Sequence, residues 1–92
     1  MSTPHVAFCE YYATGEGVTV LIAIGLGPQH ADELFRERAD SFFHRDIKVK
    51  PLDLSDTDVQ RIAKWIPEPV LEAAKEPSGR LQYYGEFHLN RS

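Results

Sequence analysis

The sequence predicts an α+β fold: a two-layer sandwich in ββαβαβ order, with a four-stranded, mostly antiparallel sheet and two main helices on one face. Three observations predict it. Apolar residues alternate with a period of two over residues 18–26 and again over 81–89. Between these stretches Ala31, Leu34, Phe35, Ala39, Phe42 and Phe43 recur at helical spacing. Glycine- and proline-bearing breaks separate the periodic stretches, and a chain of 92 residues has room for one domain, residues 1–92.

The chain opens as a hairpin. Residues 5–12 and 18–26 are rich in aromatic and β-favouring side chains, and the short segment between them carries Gly15 and Gly17. In the second strand Val18, Val20, Ile22, Ile24 and Leu26 share one face. The opposite face, with Thr19, Leu21, Ala23 and Gly25, is also fairly apolar, which places this strand in the middle of the sheet. The first strand allows two orientations. If Val6, Phe8 and Tyr12 face the helices, Glu10 goes in with them and needs a partner or a raised pKa. If Ala7, Cys9 and Tyr11 face inward, Phe8 joins the open face. Either outcome implies a bulge or a second covered face.

Gly27-Pro28 ends the second strand, and proline suits the first position of a helix. A helix is predicted over residues 28–44, with Asp32 and Glu33 near its positive end and Arg36, Glu37 and Asp40 on its polar side. Residues 46–52 read as a short edge strand: Ile47 and Val49 point one way, Asp46, Lys48 and Lys50 the other, and Pro51 weakens its end. A second helix is predicted over 55–66, entered through Thr57 with Gln60 or Ser55 with Asp58, and stopped by Pro67 and Pro69. Its buried stripe is Val59, Ile62, Ala63 and Ile66. A shorter helix over 70–75 follows, then a turn at Pro77-Ser78-Gly79. The last segment, 80–90, alternates cleanly. Leu81, Tyr83, Phe87 and Leu89 lie on one face, and Gln82, Tyr84, Glu86, His88 and Asn90 on the other. Gly85 on the apolar face marks a bulge or a close backbone approach.

Composition excludes several classes. With 42% hydrophobic and 26% charged residues the chain is neither collagen-like nor a low-complexity polymer. Cys9 is the single cysteine, so an intramolecular disulfide and a cysteine-rich zinc site are both excluded, and a lone thiol fits a reducing compartment. The N-terminal residues lack the basic start and apolar stretch of a secretory signal, and the longest apolar run falls short of a bilayer span. A cytoplasmic protein with no membrane partner is expected. The net charge is -4, and Arg36, Arg38, Arg45, Lys48 and Lys50 make only a thin basic stripe. Nucleic acid is therefore not the expected partner.

The row Tyr84, Glu86, His88 and Asn90, joined by Leu21 from the second strand, is the candidate partner-binding surface. Tyrosine suits such a place because its ring buries area while its hydroxyl keeps a hydrogen bond. Glu86 and His88, about 7 Å apart on one strand face, also have the form of an acid–base pair. No motif places a nucleophile beside them. Gly25-Leu26-Gly27 lacks the third glycine of a dinucleotide loop and the lysine of a P-loop. The four histidines lack metal-ligand spacing, so no catalytic residue, metal or cofactor is assigned. The expectation is a small non-catalytic interaction module that binds a protein partner or its own copy as a homodimer. Inhibitors, immunity factors and adaptors are of this type, many encoded by phages and mobile elements, anti-CRISPR proteins included. The alternative is a small dimeric enzyme or ligand-binding protein using Tyr84, Glu86 and His88 on the open sheet face.

Overall fold

The computed structural model describes residues 3–13, 15, 17–76 and 80–90, and only the backbone of Ala13 and Asn90. The turn expected at 77–79 lies outside the described residues. The elements are β1 (His5–Ala13), β2 (Gly17–Gly25), α1 (Pro28–Arg38), a 3-10 turn (Ser41–Asp46), β3 (Lys48–Pro51), α2 (Thr57–Ala63), α3 (Glu68–Lys75) and β4 (Tyr83–Asn90). The fold is α+β. Its four-stranded sheet runs β3-β1-β2-β4, with every neighbouring pair antiparallel.

The β1–β2 pairing is continuous from His5 opposite Gly25 to Ala13 opposite Gly17. Gly15 at φ 78° and Gly17 at φ 116° supply the left-handed backbone that this tight connection needs. β2 is central, as its two apolar faces require.

The helices divide between the two faces of the sheet rather than gathering on one. Val6, Phe8, Val20, Ile22 and Ile24 pack under Val59, Ile62 and Ile66 from α2 and the turn after it, joined by Leu81. On the reverse face Ala7, Cys9, Leu21 and Ala23 pack under Ala31, Leu34 and Phe35 of α1 and Ala39 beyond it. The reason lies in β2. Leu21 and Ala23 are as fully hidden as Ile22 and Ile24, so neither side of the strand is left to water. The ambiguity of β1 is resolved in the same way. Phe8 faces one layer and Cys9 the other, without a bulge, and the second covered face is α1.

Several boundaries move for local reasons. α1 ends at Arg38, not near residue 44, because Ala39 takes an extended conformation and Asp40 opens a separate 3-10 turn by accepting the Phe42 amide at 2.8 Å. That break takes Phe42 out of helical phase, and its ring is 54% exposed instead of buried. α2 is capped by Asp56, which accepts the Asp58 and Val59 amides, between the two starts expected from the sequence. β3 is a short edge strand, as expected.

β4 pairs with β2 without interruption, so Gly85 is not a bulge. It is a close approach. The Tyr83 ring lies across Gly85, and a Cβ there would meet the Tyr83 hydroxyl, with Tyr83 Cζ at 2.9 Å and Phe87 Cε2 at 3.0 Å. Gly85→Ala is expected to destabilise the protein by about 1 kcal/mol, since overpacking outweighs the entropy gained in the unfolded chain. In a Tyr83→Ala background the same substitution loses that penalty. A double-mutant cycle of denaturant midpoints measures the difference.

Candidate protein-docking surface

Three rows of side chains cross the α1 face of the sheet. Ala7, Ala23 and Tyr84 form one, Cys9, Leu21 and Glu86 the next, and Tyr11, Thr19 and His88 the last. α1 covers the first two rows over β1 and β2. Leu21 is 1% exposed beneath it, so this residue is core and leaves the expected docking set. Tyr84 is half-buried. Its ring stands edge-on to Phe35 at 6.4 Å, and its hydroxyl donates to Glu86 Oε2 at 2.7 Å. Burial, then the neighbouring Glu86, holds the Tyr84 phenol well above its ordinary pKa, so it serves as a donor. Glu86 and His88 are exposed, and the His88 Nδ1 lies 3.0 Å from the Thr19 hydroxyl. The side chain of Asn90 lies outside the described residues.

The last row holds aromatic groups that sequence patterning assigned elsewhere. Tyr11, 40% exposed, stacks edge-to-face with Phe42 at 5.3 Å and Phe43 at 5.9 Å, and those two rings meet at 5.2 Å. Phe43 is half-buried against the α1 layer, and it anchors the cluster from which Phe42 and Tyr11 project. A continuous stripe results, from Phe42 through Tyr11 and Thr19 to His88 and Glu86 at the β4 edge. The signal available in the sequence was Asp40, a capping residue two positions before the first of the two phenylalanines.

The two edges of the sheet differ. β3 is four residues long and carries Lys48, Lys50 and Pro51, the usual protections against edge pairing. β4 is eight residues long, has neither lysine nor proline, and has β2 as its one strand neighbour among the described residues.

The opposite face carries charge. Glu10 points into the α2 layer, its side chain 10% exposed, and its partner is Arg61. The Arg61 Nε donates to both Glu10 oxygens at 3.0 and 2.9 Å, and Nη2 donates to Oε1 at 2.6 Å. Arg61 also reaches Asp58 at 3.1 Å, and Lys50 bridges Asp58 and Asp56 at 2.8 and 3.2 Å. The Arg61 hydrogen bonds hold the Glu10 carboxyl below its ordinary value, against the opposing effect of burial. A cavity of about 350 Å³ lies beside this pair, between Phe8, Tyr12, Asp46 and Lys48. A second, of about 340 Å³, lies between α3 and the start of β4, lined by Val70, Ala73, Leu81 and Tyr83 among others.

The histidines stay apart. β2 separates β1 from β4, so His5, opposite Gly25, does not meet His88, opposite Thr19. His30 folds back on the strand–helix junction, where its Nδ1 accepts the Leu26 amide at 3.2 Å. Among the described residues no group of three or more His, Cys, Asp or Glu is placed to hold a metal. The Cys9 thiol is buried, and burial pushes its pKa up, away from the reactive thiolate.

The Glu10–Arg61 pair gives a pH dependence of known sign. A carboxylate whose pKa is lowered by folding stabilises the fold above its unfolded value, near 4.5, and that contribution disappears as pH falls through the folded value. Arg61→Ala is expected to cost about 1–2 kcal/mol at neutral pH, between the values for exposed and buried pairs. Loss of Arg61 removes the largest cause lowering the Glu10 pKa, so the variant's stability falls less steeply on acidification than that of the wild type. Glu10→Gln removes this pH dependence altogether. Urea midpoints from neutral pH to below pH 4 separate the three proteins.

Compared with protein-family models, with curated proteins and with solved structures, the chain matches none. Geometry and chemistry therefore carry the functional reading.

Proposed function

We propose that this protein is a non-catalytic interaction module of inhibitor, immunity or adaptor type, working in the cytoplasm by occupying a surface on a protein partner or on its own copy. The observation that carries the reading is the uncovered end of the α1 face. There Tyr11 and Phe42, 40% and 54% exposed, share a face, across Thr19, with His88 and Glu86, which lie on an edge strand. Exposed aromatic rings rimmed by hydrogen-bonding groups are the usual centre of a protein interface. Their mutual edge-to-face packing keeps them in place before a partner arrives, which lowers the entropy lost on binding. The buried, unactivated Cys9 thiol fits a reducing compartment. Among the described residues no helix is long and apolar enough to cross a membrane.

The enzyme alternative requires a concave site at Tyr84, Glu86 and His88. Neither of the two cavities described above is lined by Tyr84, Glu86 or His88, and the Tyr84 hydroxyl donates to Glu86. A Tyr11→Ser/Phe42→Ser variant removes the rings without touching the α1 core. Affinity capture from the native host, followed by reconstitution from purified components, is expected to give a partner held by the wild-type protein. That partner binds the variant at least about tenfold more weakly. Equal retention by both proteins, with the variant folded, rejects the aromatic stripe as the docking surface.

A further inference from the structure

We propose that β4 is a self-association edge: two copies pair antiparallel along it, about a two-fold axis at Phe87, and form a continuous eight-stranded sheet. The proposal deepens the interaction reading above by naming one partner, a second copy of this chain.

The edges of the sheet give the first argument. A long unpaired strand is a template for another chain, and folded proteins blunt such edges unless they use them. β3 is blunted by its length, its lysines and its proline, whereas β4 has none of these. Charge gives the second argument and fixes the register. On a two-fold axis perpendicular to the sheet, the residue at the centre faces its own copy, and residues equally spaced on either side face each other. With Phe87 at the centre, Glu86 faces the partner's His88 and His88 faces the partner's Glu86, so two carboxylate–imidazole pairs form at once. Centring on Glu86 sets two carboxylates against each other, and centring on His88 does the same with two imidazoles. Centring on Gly85 pairs only residues 83–87 of the strand, whereas centring on Phe87 pairs 84–90.

The other face of β4 agrees with the same register. Phe87 meets the partner's Phe87, each ring backed by Trp65 at 5.8 Å within its own copy. Leu89, 58% exposed in the single chain, falls opposite the partner's Gly85, which brings it against the partner's Tyr83, whose ring crosses that glycine. The pairing thus covers an exposed leucine at a position with no side chain of its own.

The test is a mixing experiment read by sedimentation equilibrium over a wide concentration series and by native mass spectrometry. The wild-type protein is expected to be a dimer. His88→Glu places carboxylates opposite each other, and Glu86→Arg removes the attraction, so each variant alone dimerises at least about tenfold more weakly. Mixed in equal amounts, E86R and H88E gain a guanidinium–carboxylate pair at one position, keep the wild-type Glu86–His88 pair at the other, and form a heterodimer in preference to either homodimer. Circular dichroism is expected to show both variants folded. A wild-type protein that stays monomeric throughout, variants that dimerise as well as wild type, or a mixture that gives no heterodimer preference overturns the proposal. The interaction reading is tested separately, because Tyr11 and Phe42 lie across β2 from this edge. The Tyr11→Ser/Phe42→Ser variant is expected to lose capture while keeping the wild-type dimer, so failure of one reading is distinguished from failure of the other.

Discussion

Leu21 and Ile22 are neighbours in β2, point in opposite directions and are both hidden from water. Two adjacent fully buried aliphatic side chains on one strand require a covering layer above and another below. This demand sets the arrangement of every helix. α1 follows β2 directly and closes over Leu21 and Ala23. α2 and α3, reached only after β3, close over Ile22 and Ile24. A chain of this size hides only about 60% of the surface its unfolded form exposes. Splitting its apolar residues into two thin clusters makes each one sensitive to the loss of a single large side chain such as Phe35 or Ile62.

Burial on both faces also explains how Glu10 is tolerated. The residue shares a face with Phe8 and Val20, so a sheet covered there would trap a carboxylate. α2 brings Arg61 to it in a forked geometry, and the carboxylate stays charged with its oxygens occupied. Asp58 and Lys50 extend this into a chain of alternating charge that ties β1, β3 and α2 together. The pairing is therefore a condition of the layer's position as much as a source of stability.

Much of this was legible in the residues. Alternation identified β2 and β4 and assigned Leu81, Tyr83 and Phe87 to one face, because a period of two leaves no freedom once one residue is placed. The helix at Pro28 and the edge character of β3 followed from proline position and one-sided charge. What periodicity cannot encode is the side of the sheet to which a helix returns. The even apolarity of Thr19, Leu21, Ala23 and Gly25 was the clue to a second layer, and assigning both helices to one face left Leu21 on a docking surface it does not reach. Phe42 was misplaced for a different reason. Helical spacing continues through residues 39–43 in the sequence, but the Asp40 side chain competes for the Phe42 amide and starts a new turn. The Glu10–Arg61 contact, fifty-one residues apart, has no local signature.

The position of the proposed docking surface follows from a mismatch of lengths. β1 and β2 have nine residues each, about 30 Å of extended chain. α1 has eleven residues and is about 16 Å long. One such helix lying along the sheet cannot cover both ends of its strands. On this face the shortfall comes at the end holding Tyr11, Thr19 and His88, because α1 is tied to the other end by the two-residue connection after Gly25. The 3-10 turn bridges part of the gap with Phe43 and leaves Phe42 projecting. On the opposite face α2 and α3 share the work, and Arg61 and Trp65 reach Glu10 and Phe87. The exposed rings are thus the remainder left when a short helix is anchored at one end of a long sheet, and any partner of this face must meet the chain where α1 runs out.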